Sequence, residues 1–434
     1  MKKNHLLLGL IFLSQSSFGE EITLMKAYFE ALKNNPNLKA FHHKTSISEE
    51  QINQALAPLY PSLTATATKN RYFKSNTTNS SYAPNPSTYD TQNYELKATQ
   101  TLFNLPAYSN YSKAKISSKI TDLEYATKTQ ELILEVSEVY FNLLLTQEKL
   151  EVAKMKQKTL EQQKADIEKR FELGDGTIQD LEDTKSKFYV AQSETIQSAL
   201  NVDIAKAKFE EIVGIELQNV TDITPMKHSL SLDLEEHIEL YIEEAYQSNL
   251  PLQIKHLNVL YTQKEKVTTQ QEYYPKVDFV GSMSYYDTTD GKNSQAYHSN
   301  QNYVGIQLLA SLYQGGTTTS KIKEIKEREN QVLKELEGAK KELRFEIIKE
   351  YKGIQTTQAQ IKSLEVALKS AKTTIEAAKI GFDLGTRTHY EVLQAIEQYY
   401  FIENSLNEVK YKYKMVELRL KMLVGKLDSD DLVD

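Results

Sequence analysis

Residue types capable of chemistry are plentiful in this 434-residue sequence, but their spacing does not assemble an active site. The 8 His show no zinc-binding interval. Gly315-Gly316 lacks the Lys and the Ser or Thr that a phosphate-binding loop places after its glycines, and reads as a strand-to-helix turn. Cys is absent, so thiol nucleophiles, disulfides, thiolate metal sites and a lipid-bearing cysteine are not expected. Asp and Glu lie at helical spacing among Lys and Gln, the pattern of a solvated face. An enzyme is therefore not expected, nor a bound cofactor or metal. A formal net charge of −7 without a basic stripe also argues against a nucleic-acid partner.

Charged side chains stand out instead at one interruption, Gly381 to Ala395, which carries Asp383, Arg387, His389 and Glu391. It breaks a helical pattern running from about Lys321 to Met422. Gly385 lets the backbone turn back by taking a left-handed conformation, so two long helices must meet there. A second copy, Arg170 to Leu181, holds Gly174, Asp175 and Asp180. The same spacing of 211 residues separates Gly174 from Gly385 and Gly214 from Gly425, so the chain is internally duplicated.

The elements that position these tips follow from the pattern around them. Only 15 Gly and 9 Pro in this length favour long helices over many short elements. From Pro106 onward Leu132, Val136, Val139, Leu143, Leu150, Ala153, Leu160, Ile167 and Phe171 recur at threes, fours and sevens, a coiled-coil seam. An uninterrupted helix to Leu173 is roughly 100 Å long at 1.5 Å per residue. Asn35-Pro36 divides a short helix from a longer one, and Asn249-Leu250-Pro251 repeats that break.

Strands follow Tyr60-Pro61 and Tyr274-Pro275. Ser62 to Thr68 alternates hydroxyl and apolar residues, as a strand between two environments does. A return strand is predicted over about Tyr94 to Phe103, and a second pair over Lys276 to Tyr286 and Tyr303 to Tyr313. The polar stretches Ser75 to Asp90 and Asp287 to Asn302 read as loops, with Tyr and Phe clustered at the strand ends like an interfacial girdle. At the N-terminus Lys2-Lys3, the apolar run Leu6 to Leu13 and Ser17-Phe18-Gly19 form a secretory signal pattern, with cleavage expected after Gly19. Any membrane crossing then falls to strands. An open strand pair cannot sit in lipid, because each unpaired backbone group costs several kcal/mol, and four strands are fewer than the roughly eight a barrel needs. Several chains must share one barrel.

The sequence resembles the TolC family of outer-membrane efflux ducts over nearly the whole mature chain. The carriers are Tyr60-Pro61-Ser62-Leu63, Tyr274-Pro275, Gln100-Thr101-Leu102-Phe103-Asn104, Val304-Gly305-Ile306-Gln307, Tyr313-Gln314-Gly315-Gly316 and the two tips, in duplicated order. The resemblance implies an α+β membrane protein: long α-helical hairpins forming a periplasmic tunnel, plus four β-strands per protomer of a homotrimeric twelve-stranded β-barrel. It divides the chain into a signal peptide (1–19), N-terminal helices (20–57), strand pair 1 (58–105) and helical hairpin 1 (106–214, tip near 174). An equatorial segment (215–249), a helix of the second repeat (250–273), strand pair 2 (274–314), hairpin 2 (315–425, tip near 385) and a tail (426–434) follow. Ile215 to Leu234 and the tail are the candidates for a belt around the tunnel.

The resemblance further implies a passive, gated exit duct for efflux or type I secretion, in the outer membrane and reaching into the periplasm. A periplasmic adaptor and an inner-membrane transporter dock at the tips, around Gly174, Gly385 and Thr386. Residue by residue, the gate arginine falls on Arg387 and its acidic partner on Asp180, in the same chain or a neighbouring one. A tyrosine of the latch is replaced by Phe382, which offers no hydroxyl. A paired acidic ring at the tunnel mouth becomes Glu391 with Gln394, one carboxylate instead of two. His389 is expected as an exposed polar residue, the alternative being a pH sensor that gains charge in mild acid. A soluble, filament-like periplasmic coiled coil is the alternative; it accounts for the heptads but not for the signal peptide or the alternating strands.

Overall fold

The computed structural model describes residues 22–74, 87–217, 237–289 and 297–432. The predicted signal peptide, most of the belt candidate 215–234 and the centres of both polar loops lie outside the described residues.

The duplication is visible element by element. Helices α1 (Leu24–Asn34) and α5 (Ile238–Ser248) have 11 residues each, and α2 (Pro36–Leu56) and α6 (Leu250–Gln270) have 21 each. Helices α3 (Leu105–Glu172) and α7 (Thr317–Asp383) have 68 and 67 residues, and α4 (Ile178–Val213) and α8 (His389–Val424) have 36 each. At 1.5 Å per residue α3 is ~100 Å long. Among the described residues no helix is long and apolar enough to cross a membrane.

The chain divides into two compact units, to both of which α2, α3 and α7 contribute. One comprises residues 39–127 and 250–342 and holds the sheet: β1 (Ser62–Lys74), β2 (Ser87–Phe103), β3 (Lys276–Thr289) and β4 (Tyr297–Leu309). The strands are antiparallel in the order β1-β2-β3-β4. Register puts Leu63 opposite Ala98, Ala98 opposite Gly281, and Gly281 opposite Val304, so these share one face. Two residues along, Leu96, Met283, Phe279 and Ile306 extend that apolar face, and Phe279, Met283, Val304 and Ile306 are all exposed on it. The opposite face carries Thr64, Thr66, Glu95, Lys97, Thr99, Thr101, Asp278, Ser282 and Gln307. Its polar groups pair across strands, Thr101 Oγ1 donating to Asp278 Oδ1 at 3.1 Å and Ser282 Oγ to Glu95 Oε1 at 2.9 Å. A sheet with a water face and an oil face follows from the two-residue period of its side chains.

Three strands run further into the polar stretches than alternation indicates: β2 starts at Ser87, β3 ends at Thr289 and β4 starts at Tyr297. The ladder is made of backbone groups and continues through polar side chains once neighbouring strands hold it. At its other end β4 stops at Leu309, short of the expected Tyr313.

The second unit comprises described residues within 1–38, 128–249 and 343–434. Here α3, α4, α7 and α8 share a core that includes Val152, Leu160, Phe188, Ala191, Ala378, Leu393, Ile396 and Tyr400. Most of the predicted seam is buried, Leu160 within this core, but Leu150 is half-buried and Phe171, in the last turn of α3, is exposed. Polar bonds tie α3 to α8 along the way: Tyr411 Oη donates to Glu148 Oε1 at 2.9 Å, and Thr159 Oγ1 lies 2.9 Å from Tyr400 Oη. The tail packs back, with Leu427 and Leu432 buried and Gln130 Nε2 donating to the Leu427 carbonyl at 3.2 Å.

Candidate functional site

The two hairpin tips are built alike. In the first, the Gly174 N–H reaches the Phe171 carbonyl at 3.0 Å and the Asp175 N–H reaches that of Arg170 at 2.8 Å. In the second, Gly385 reaches Phe382 at 3.0 Å and Thr386 reaches Gly381 at 2.8 Å. This six-to-one closure requires a left-handed residue, and Gly174 and Gly385 supply it at φ 79° and 71°. Each chain reversal then restarts a helix with a threonine cap. Thr177 Oγ1 accepts from the Asp180 N–H at 3.1 Å, and Thr388 Oγ1 from the Glu391 N–H at 3.4 Å. Asp180 and Glu391 are thus equivalent third residues of their helices, where the positive end of the helix dipole favours an acid.

Glu391 completes a capping box, accepting the Thr388 N–H on Oε2 at 2.7 Å. That backbone bond, and then the Thr388 hydroxyl, hold its carboxyl below the usual carboxylate range, so it stays ionised. Gln394 is exposed and donates to Tyr390 Oη at 3.2 Å. Thr386 Oγ1 donates to the Gly381 carbonyl at 3.0 Å. Leu173 and Leu384 stand exposed beside the two turn glycines.

Arg387 is exposed, and its stem lies against Gly381: a Cβ there would come within 3.0 Å of Arg387 Cγ. No ion pair of Arg387 forms among the described residues of one chain. Asp180 instead accepts the Thr177 hydroxyl on Oδ2 at 2.7 Å. The expected Arg387–Asp180 pair is therefore not formed within a single chain.

His389 departs from expectation. It is buried, 2% exposed, rather than an exposed polar residue. The cause is its place in the stripe His389-Val392-Leu393-Ile396, whose spacing of threes and fours is the core face of α8. Its Nε2 lies 2.8 Å from Thr184 Oγ1 on α4, its ring centroid is 5.2 Å from that of Phe382, and its Nδ1 is buried without a partner among the described residues. Burial first, and secondarily the Arg170 charge, push its pKa down, against the pull of Asp180 and Asp183.

Arg170 was not marked out by its sequence context alone. Its guanidinium pairs with Asp383 on the other hairpin, lies 4.8 Å from the Phe382 ring centroid, and stands 3.9 Å from Asp175 in its own tip. The signal was an asymmetry between the copies. Arg170 occupies the place of Gly381, and Gly176 the place of Arg387, so each tip has one Arg and one Gly at exchanged positions.

Among the described residues, a duplicated chain combines a four-stranded sheet having one apolar and one polar face with long helical hairpins whose tips are capped, the features of an outer-membrane channel protein. Comparison with known proteins agrees. The chain belongs to the outer membrane efflux protein family, whose model matches residues 27–214 and 241–426. It is 25% identical over 413 residues to outer membrane protein TolC of Vibrio cholerae, covering 95% of this chain and 92% of that one. It is likewise 25% identical over 432 residues to the alkaline protease secretion protein AprF of Pseudomonas aeruginosa, covering 98% and 88%. The solved outer membrane protein VceC of Vibrio cholerae has the same fold, with a TM-score of 0.76 at 17% identity over 93% of this chain and 96% of that one. The protein is thus an outer-membrane channel protein serving export.

Proposed function

We propose that three copies of this chain close one twelve-stranded barrel and act as the exit duct of an export machine, with a periplasmic adaptor and an inner-membrane transporter docking at the hairpin tips. The carrying observation is the four-stranded sheet with an apolar and a polar face, in which β1 and β4 each have one neighbour within the chain. In lipid those two edges must be paired, and a neighbouring copy offers the matching edge. Three copies reach a strand number in the range of membrane barrels, which one copy does not.

Gating at the tips belongs to the same reading. Arg387, exposed and unpaired within the described chain, meets Asp180 of an adjacent copy, and three such pairs hold the mouth closed. Ionised Glu391 supplies one ring of negative charge that favours cations. The similarity to a protein named for alkaline protease secretion makes protein export through a type I system the first cargo class to test, beside small-molecule efflux. The test is to purify the protein from outer membranes and record it in planar bilayers. Trimers that insert as discrete, cation-preferring conductance steps support the duct; a periplasmic, monomeric, non-conducting protein refutes it.

A further inference from the structure

We infer that Arg170 is a positioning residue of the gate, clamping the two hairpin tips of one chain to each other and using Phe382 as its platform. The inference rests on the gated-duct reading above and adds a link within each chain to the link between chains.

Three observations converge on it. First, Arg170, in the last turn of α3, pairs with Asp383, the last residue of α7, across 213 residues of sequence. The contact joins hairpin to hairpin rather than neighbours on one helix. Second, the guanidinium carbon lies 4.8 Å from the Phe382 ring centroid, within cation–π range. A phenylalanine at this position removes a hydroxyl donor but presents an apolar face on which a planar guanidinium stacks. Phe382 in turn rests on His389, which bonds Thr184 on α4. The platform is therefore backed by the buried His389 of its own hairpin.

Third, the exchanged Arg and Gly positions give the two arginines different tasks. In the second tip, Arg387 lies across Gly381 and is held against its own turn. In the first tip Gly176 takes the corresponding place, and a Cβ there would come within 3.0 Å of the Phe171 nitrogen and 3.3 Å of the Arg170 carbonyl carbon. The first turn is closed by bare backbone, and its arginine reaches out to the other hairpin. With Asp175 at 3.9 Å on one side and Asp383 on the other, Arg170 sits between two carboxylates from different tips. Separating the tips removes Asp383 and Phe382 from it together.

The experiment is planar-bilayer recording of purified trimers carrying Arg170→Ala, Asp383→Asn and the exchange Arg170→Asp with Asp383→Arg, beside Arg387→Ala. Each of the first two raises the ratio of open to closed tips about five-fold, the factor that corresponds to ~1 kcal/mol for a partly exposed ion pair. The exchange brings the ratio back toward wild type, which a loss of local packing would not do. Asp383→Asn, isosteric and at an exposed site, keeps the test available if Arg170→Ala does not assemble. Wild-type gating in both single variants alongside a raised ratio in Arg387→Ala overturns the Arg170 clamp and leaves the gate in place. Wild-type gating in every variant overturns the gated-duct reading itself.

Discussion

Thr184 Oγ1 on α4 and His389 Nε2 on α8 stand 2.8 Å apart with both side chains buried, so a neutral imidazole bridges the two hairpins of one chain just behind the tips. The other ring nitrogen, Nδ1, is buried without a partner among the described residues. A proton added there would place a charge in a desolvated site with Arg170 nearby, opposed by Asp180 and Asp183.

This arrangement predicts acid sensitivity of the tips. With the two tips packed together, burial holds His389 below its ordinary value of about 6.5, so the sign is fixed: at higher pH the imidazole is neutral whether the tips are packed or separated and no penalty exists. As pH falls through about 6.5 the separated tips take up a proton that the packed tips refuse, and packing weakens until the lowered pKa is passed. Recordings at about pH 7.5 and about pH 5 should show a larger open fraction in acid. His389→Leu should abolish the contribution; an undiminished acid response in that variant would exclude His389 as its source.

The charge of Glu391, proposed above to ring the tunnel mouth, can be separated from its part in helix capping. In Glu391→Gln the amide oxygen can still accept the Thr388 N–H, so thermal stability should change by less than about 0.5 kcal/mol. Cation selectivity and block by multivalent cations should both drop, read as reversal potentials in a salt gradient. Equal reversal potentials for variant and wild type would remove Glu391 from the ring.

The link proposed between chains is tested by Arg387→Ala and by Asp180→Asn, which keeps an acceptor for the Thr177 hydroxyl. Each should raise single-channel conductance at neutral pH, and the double variant should add little to either single one, as members of one pair do. Additive effects would mean that the two side chains act separately.

Stability of the tips rests on conformation as well as packing. Gly385→Ala places a Cβ at φ 71° and should cost about 1–2 kcal/mol. Ile396→Ala, in the shared core and fully buried, should cost about 2–5 kcal/mol. Thermal unfolding of detergent-solubilised trimers ranks the two; the reverse order would mean that the core relaxes around the smaller side chain.

Much of this was legible in the sequence because it repeats. Long helices, their breaks at Asn35-Pro36 and Asn249-Leu250, the strand pairs and the tip glycines follow from period and punctuation, and Gly315 and Gly316 do turn at positive φ between strand and helix. Strand ends were not legible, since backbone pairing carries β2 and β4 through residues with no alternation. His389 differs from the expectation because its spacing to Val392, Leu393 and Ile396 puts it on the buried face of α8. Arg170 could not be paired with Asp383 by reading along the chain, because the contact is made by packing one hairpin on the other.

Pairing of β1 with β4 between neighbouring copies can be measured directly because the chain has no Cys. Thr66→Cys on the polar face of β1 is combined in turn with Cys at Tyr303, Gly305 or Gln307 on the same face of β4. Outer membranes are then oxidised and run on a non-reducing gel. A disulfide within one chain would have to span β2 and β3, too far for the bond. If three copies close one barrel, at least one pair gives a covalent trimer, dissolved to monomers by reductant; monomers for every pair would contradict barrel closure by β1–β4 pairing.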